Sequence, residues 1–454
     1  MKGVAFVFVL LVSFALHRRG SAIHKHFFGR GNFPVGYFAG GEYKLDCSTL
    51  ASHLESPAAE KLRFCEDATL WDVLDSKGDI EDRLLIATCD SGRKQWNTVM
   101  GPLINPEPHG TLWLYAPNEA RLGPKSRSTS SIPVEVRGKP RQITFSSYPP
   151  RHDFHPLGVA IWPSHGGNSS NLYIVNHARQ KSVIEHFRLD PHKPTEANYV
   201  RTITSPLFIA PNSLTLTSPN SFYVTNDHLM TRRLPFVGNL LSGTETIFAL
   251  PLGSLLHVNM YPDQLLQGPS PSTHISDTNI VKAFIPFANG VALSPSGNEV
   301  AVASTPGEVF IYTRNLTTNA LKQKERIKMP FAPDNLHYEA PKEGQKARLI
   351  VAGHPDVIGL VKVAANLTGA SAQSWVMAAS RLDESDRSEP TGFTVRPTGW
   401  KLETLFQSEG LEDKGGFGTS TTGLVDPDTG TLYVPGLYAE GGIMLCRSNS
   451  DRSN

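Results

Sequence analysis

Glu66, Asn212, Asn289 and the adjacent pair Asp334 and Asn335 are the residues of this 454-residue chain whose types could do chemistry together. They offer only hard oxygen donors: two carboxylates with negative charge and three neutral amide carbonyls. Calcium takes six to eight such oxygens, whereas zinc and copper favour nitrogen and sulfur, so the set points to calcium. A single Asn more often hydrogen-bonds its own turn. What argues for a shared site is that these residues recur at one position of a repeat.

That repeat is clearest in three segments. Ile209-Ala210-Pro211-Asn212 is followed by Pro219 and Phe222-Tyr223-Val224; Phe287-Ala288-Asn289 by Pro295 and Val300-Ala301-Val302; Phe331-Ala332-Pro333-Asp334-Asn335 by Pro341 and Leu349-Ile350-Val351. Each reads as Asn, an alternating strand, a Pro turn and a second strand. The frame also fits Phe154-His155-Pro156-Leu157-Gly158, with Pro163 and Leu172-Tyr173-Ile174-Val175. It fits more loosely at Thr421-Thr422-Gly423-Leu424-Val425, before the turn at Asp426 and the strand from Leu432, and at Cys65-Glu66-Asp67, which lacks the Pro. Six such units predict an all-β, six-bladed β-propeller over residues 60–446, because a four-stranded blade buries its faces only against neighbours. The equivalent positions are Glu66, Leu157, Asn212, Asn289, Asn335 and about Thr421. They open the innermost strands and are expected to ring the central axis.

The rest of the chain suits an exported protein. A formal net charge of +1 removes the bulk electrostatic argument for binding nucleic acid. Lys2, the apolar run Val4 to Leu16 and the basic group His17-Arg18-Arg19 read as a secretory signal over residues 1–22, either cleaved after Gly20-Ser21-Ala22 or retained as an anchor. Association with membrane or lipid is expected only in the second case. Residues 23–59 read as an extension leading into the propeller and residues 447–454 as a tail, while the stretches 119–142 and 382–392 read as exposed linkers. Asn168, Asn315 and Asn366 begin glycosylation triplets. The four cysteines, Cys47, Cys65, Cys89 and Cys446, lack CxxC spacing and read as disulfides in an oxidising compartment, with three pairings open.

Several stretches bring a family into view: Leu172-Tyr173-Ile174-Val175-Asn176-His177, Phe222-Tyr223-Val224-Thr225-Asn226-Asp227-His228, Pro286-Phe287-Ala288-Asn289-Gly290, Pro333-Asp334-Asn335 and Gly353-His354-Pro355. In their order and register the chain resembles the paraoxonase/arylesterase family of calcium-dependent lactonases. The resemblance places a catalytic calcium on Glu66, Asn212, Asn289, Asp334 and Asn335. It places a second, structural calcium on Asp67, the Val159 carbonyl and the position of Ser213, where the family has Asp. One calcium is therefore expected and a second has lost a carboxylate. The family's long-range disulfide falls on Cys47 with Cys446, which leaves Cys65 and Cys89 as a local pair. Of the family's two active-site histidines, the second falls on His177 but the first falls on Leu157, with His155 two residues earlier on the same strand. Leu157, His228 and His354 are expected to line the pocket, with Asp227 orienting His228.

These implications add up to a secreted hydrolase of lactones or aryl esters, in which calcium polarises the carbonyl and His177, Asp334 or Glu66 takes a proton from water. Its partner is a small-molecule ester or lactone. Two other readings compete. A strictosidine-synthase-like enzyme would rely on a Glu base and need no calcium ring. A non-catalytic calcium-binding propeller would explain Leu157 and Ser213 as lost chemistry.

Overall fold

The computed structural model describes residue 13 and residues 31–40, 43, 46–118, 131–262, 274–341, 346–382, 394–395 and 399–448. The signal segment (Ser13 apart), the tail beyond residue 448, most of the stretch 382–392 and residues 119–130 of the first linker lie outside the described residues. The remainder of that linker is not exposed throughout: Ile132 and Val136 are buried in the first core cluster, which draws apolar side chains out of solvent.

Antiparallel four-stranded meanders follow one another along the chain. The first comprises Cys65–Leu74, Ile80–Cys89, Thr111–Tyr115 and Arg141–Ser146; the second comprises Pro156–Ile161, Ser170–Asn176, Val183–Leu189 and Glu196–Ile203. A parallel pairing of Glu196–Ile203 with Arg141–Ser146 merges these two into a nine-stranded sheet, with Ser164–His165 as the ninth strand. The third runs Pro211–Ser218, Ser221–Asn226, Gly253–Met260, Ile275–Ile285, and the fourth Ala288–Leu293, Glu299–Ser304, Glu308–Arg314, Leu321–Lys328. The fifth has Ala332–Glu339, Arg348–His354, Ser374–Arg381 and Trp400–Ser408, with Tyr37–Ala39 added outside. In the last sheet Leu424–Val425, Leu432–Pro435 and Ile443–Cys446 are completed by Cys47–Thr49 from the N-terminal extension.

The arrangement is propeller-like. The first strands of the meanders touch in chain order, and the Leu424–Val425 strand touches the Cys65–Leu74 strand, so the series closes on itself. The core is divided in the same way, between consecutive meanders. Along Arg348–His354, Leu349 and Val351 pack into the cluster shared with the fourth meander, while Ile350 and Ala352 pack into the cluster shared with the last. Side chains alternate across a strand, so a strand buried on both faces must be apolar at every position.

Two features of the inner strands shape the centre. The first is a register break near the start of the inner strand in five of the meanders: between Cys65 and Asp67, Pro156 and Val159, Pro211 and Leu214, Ala288 and Val291, and Pro333 and Leu336. A bulge takes residues off the ladder and re-aims their side chains. The second is close approach. A Cβ on Gly158 would stand 2.6 Å from the Asn212 carbonyl oxygen and the Ser213 Cα, and one on Gly290 would stand 2.6 Å from the Asn335 Cα. Only glycine lets neighbouring inner strands come this near.

Cys47 and Cys446 lie opposite each other in the last sheet and are joined by a disulfide across 399 residues, and Cys65 is joined to Cys89 on the neighbouring strand. The long bridge ties the N-terminal strand to the C-terminal one and thereby closes the series of sheets. Replacing both Cys47 and Cys446 by Ser is expected to lower stability by roughly 2 to 5 kcal/mol. Calorimetry of the double variant checks this, and an unchanged melting temperature would show that closure does not depend on the bridge.

Candidate metal centre and the cavity above it

The register breaks bring the repeated polar residues together at the centre. Glu66, Asn212, Asn289, Asp334 and Asn335 are all buried. Each amide is oriented by a bond from its nitrogen: Asn212 Nδ2 donates to Asp227 Oδ2 at 3.0 Å, Asn289 Nδ2 to Thr305 Oγ1 at 3.1 Å, and Asn335 Nδ2 to Glu66 Oε1 at 3.2 Å. The oxygens that remain, Asn212 Oδ1, Asn289 Oδ1, Asn335 Oδ1 and Glu66 Oε2, are buried and accept no hydrogen bond from the protein. Leaving buried acceptors unpaired costs about 1 to 3 kcal/mol each. Four buried, orphaned oxygens on neighbouring inner strands are of the kind a hard cation takes, and the residues fit calcium.

Electrostatics point the same way. Burial first, and then the charges of Asp67 and Asp334, push the Glu66 carboxyl well above its usual range. Burial also takes Asp67 up to about 7 against the hydrogen bonds it accepts. Carboxylates crowded in a dry site need a proton or a cation to coexist. The other two positions of the ring differ. Leu157 offers no side-chain oxygen, and the Thr421 hydroxyl is used on the carbonyls of Cys65 and Pro435.

The residues expected around a second calcium also come together. Asp67, Val159, Ser213 and Asn335 border a cavity of about 260 Å³. Here, however, the protein satisfies the carboxylate: Asp67 Oδ1 accepts from the Ala68 N–H and the Thr422 hydroxyl, and Oδ2 from the Val159 N–H at 3.0 Å. Ser213 Oγ accepts from the Val291 N–H at 3.4 Å. A third group of ligand atoms, from Glu107, His109 and Asp153, lies elsewhere, and Arg179 already bonds both Asp153 oxygens there.

A larger cavity of about 280 Å³ opens over the ring. Glu66, Asn212, Asn289, Asp334 and His354 line it, and Val99, Leu157, Ile247, Phe287, Leu360 and Val361 give it apolar walls. The helices Gly238–Ile247 and Val357–Ala364 form part of the wall, and Asp356 caps the second by accepting from the Gly359 N–H at 2.7 Å. Sequence reasoning missed both helices, although Asp356 before an apolar run was a usable start signal. It also missed Arg93, Asn97 and Arg232, which line the cavity from loops.

The histidines divide. His354 borders the cavity, its Nε2 2.7 Å from Asp334 Oδ2 and its Nδ1 without a partner. His177 does not border it: Nε2 donates to the Pro211 carbonyl at 2.6 Å and Nδ1 meets the Thr98 hydroxyl. Burial, and then the charge of Arg233, lower its pKa to about 4, so it is neutral. His228 sits behind the wall, with Nδ1 on Asp227 at 2.8 Å and Nε2 on Thr246 at 2.7 Å. His155 is buried against Asp90 at 2.9 Å and is not among the residues that line the cavity.

The arylesterase family model matches residues 104–395 of this chain. The chain belongs to the arylesterase family. Its relatives include human serum paraoxonase/lactonase 3, 28% identical over 209 residues that make up 46% of this chain and 51% of that protein. Mouse serum paraoxonase/arylesterase 1 is 26% identical over 172 residues, 37% of this chain and 42% of that one. The chain thus spans about half the length of the curated relatives it matches. Among solved structures, a luciferin-regenerating enzyme overlays 89% of this chain and 95% of its own, with a TM-score of 0.43 and 12% identity.

In this arylesterase-family chain, strand convergence and ligand geometry are one property. Gly290→Ala would drive a Cβ into the Asn335 backbone and separate Asn289 from Asn335. Calcium affinity of that variant, measured by isothermal titration, is expected to fall at least about tenfold, which corresponds to about 1.4 kcal/mol. Unchanged affinity would mean that the two amides do not share an ion.

Proposed function

We propose that this chain is a secreted, calcium-dependent hydrolase of lactones or aryl esters, built on a six-bladed β-propeller running from about residue 60 to 446. The observation that carries this reading is the group of orphaned oxygens beneath an apolar cavity. The closed series of inner strands supports the six blades. The two disulfides support export, and the exposed Asn168, Asn315 and Asn366 suit glycosylation.

Glu66, Asn212, Asn289, Asp334 and Asn335 would hold one calcium. Bound there, calcium supplies a Lewis acid for the scissile carbonyl oxygen and for the negative charge that develops on it. The remaining work falls to the side chains. Leu157, Phe287 and Leu360 take up the apolar part of the substrate and exclude bulk water. His354 donates its Nε2 proton to Asp334, so its Nδ1 carries the lone pair and accepts the proton of the attacking water. His177 acts at one remove: its bond to the Pro211 carbonyl holds the start of the strand that presents Asn212, which makes it a positioning residue. The loss of a histidine at Leu157 is thereby met by one on the fifth meander.

The first test is a panel of lactones and aryl esters assayed with and without chelator. Hydrolysis that disappears with the chelator and returns with calcium is the expected result. Calcium binding with no hydrolysis of any compound would move the chain to the calcium-binding propeller reading. The second test separates the histidines. His354→Gln is expected to reduce kcat by roughly 10² to 10⁴, the usual contribution of a general base. His177→Gln should chiefly lower the melting temperature and calcium affinity. A larger kcat loss in His177→Gln than in His354→Gln would reverse the assignment.

A further inference from the structure

Among the described residues, two arginines in the cavity wall have no acidic partner. Arg93 is 2% exposed and lines the cavity together with Glu66. Its guanidinium is tethered to main-chain carbonyls only, by Nε to Phe64 at 3.3 Å and by Nη2 to Pro156 at 2.9 Å. Arg232 is half-buried and reaches the same cavity from the loop before the Gly238–Ile247 helix. Its Nε donates to the Val99 carbonyl at 2.7 Å and its Nη1 to Asn239 Oδ1 at 3.1 Å. Among the described residues no carboxylate forms an ion pair with either one, and Nη1 of Arg93 and Nη2 of Arg232 have no protein partner.

Some arginines of the chain are matched by acids, whereas Arg233, like the cavity pair, donates to main-chain carbonyls. Arg83 is held by Asp72, Asp426 and Asp428, and Arg137 by Asp82. A guanidinium cannot shed its charge near neutral pH, and burying one without a counter-charge costs several kcal/mol. Glu66 lies within the field of Arg93 but not in an ion pair with it, and its charge is committed to the ring beneath. Burial of Arg93 leaves little water to screen its charge, while Arg232 stands at the more open side of the apolar walls. A bound anion in this cavity would find partly unused N–H donors on both guanidinium groups. A guanidinium fork matches a carboxylate, and charge-assisted bonds of this kind are among the strongest in proteins.

We propose that Arg93 and Arg232 form a carboxylate-binding subsite, so that the substrates of this chain are esters or lactones bearing a second, ionised carboxylate away from the scissile carbonyl. The subsite orients the substrate by its charged end while the scissile carbonyl faces the ring. The inference rests on the hydrolase reading for its chemistry and on the two arginines for its specificity.

The experiment compares 4-nitrophenyl hexanoate with the 4-nitrophenyl half-ester of adipate, corrected for spontaneous hydrolysis. The parent is expected to favour the charged ester in kcat/KM by about tenfold to a hundredfold, the worth of one charge-assisted hydrogen bond. That ratio should collapse toward unity in Arg93→Met and in Arg232→Met, and it should persist in Arg93→Lys. A parent without preference for the charged ester, or a ratio unchanged in both Met variants, overturns the proposal. Arg232 is only half-buried, so Arg232→Met decides the matter if Arg93→Met does not fold. Should the parent hydrolyse neither ester, titration with adipate separates the two ideas. Binding lost in Arg232→Met keeps the subsite while the hydrolase reading fails, and no binding by the parent sinks the subsite itself.

Discussion

The inner strands converge on one axis so closely that Gly158 and Gly290 leave no space for a Cβ, and this convergence governs everything built on it. Strands that near each other cannot keep regular pairing while their side chains also meet at the centre, and each of the five longer ones breaks register at its ring position, which is polar in four of them and Leu157 in the other. The breaks turn Glu66, Asn212, Asn289 and Asn335 inward, and nitrogen-side bonds to Asp227, Thr305 and Glu66 fix which amide atom faces the axis. Acceptors gathered in this way repel one another. A cation is the simplest species that satisfies them all, since a proton on Glu66 would supply one donor for four orphaned oxygens.

Much of this was legible in the sequence because the repeat places its polar residue six or seven positions before a Pro turn, with an apolar strand after it. A period that recurs along the chain reports topology even when each copy is weak. The cysteine pairing came through the family resemblance instead, since spacing alone left three pairings open. The cavity wall was less accessible. The helices Gly238–Ile247 and Val357–Ala364 are insertions with no place in the period. Arg93, Asn97 and Arg232 sit on loops whose positions depend on long-range packing. The second linker-like stretch offers no test, but Ile132 and Val136 show that a polar, Ser-rich surrounding can hide residues that pack into a core.

The histidines show where residue-by-residue analogy stops. His177 occupies the matching stretch, yet its two ring nitrogens are spent on Pro211 and Thr98, and burial keeps it neutral. His354 lies in the shorter match Gly353-His354-Pro355, but it is the histidine that borders the cavity with a nitrogen unspoken for. The resemblance makes His177 a candidate proton acceptor and His354 a residue of the pocket lining. Only the hydrogen-bond partners separate a ring that holds a strand in place from one that can take a proton.

Charge distribution then links stability to specificity. The ring gathers its oxygen donors from four meanders, so a cation bound there would contribute to folding as well as to chemistry. Once those carboxylates are matched by the cation, they no longer offset the arginines in the wall above. With a cation bound, the cavity would take on net positive character between its apolar walls of Leu157, Phe287 and Leu360. An anionic ligand therefore gains from the cation through the wall as well as through the floor. Cation and carboxylate should bind with positive coupling even where they do not touch, because each removes the charge that disfavours the other.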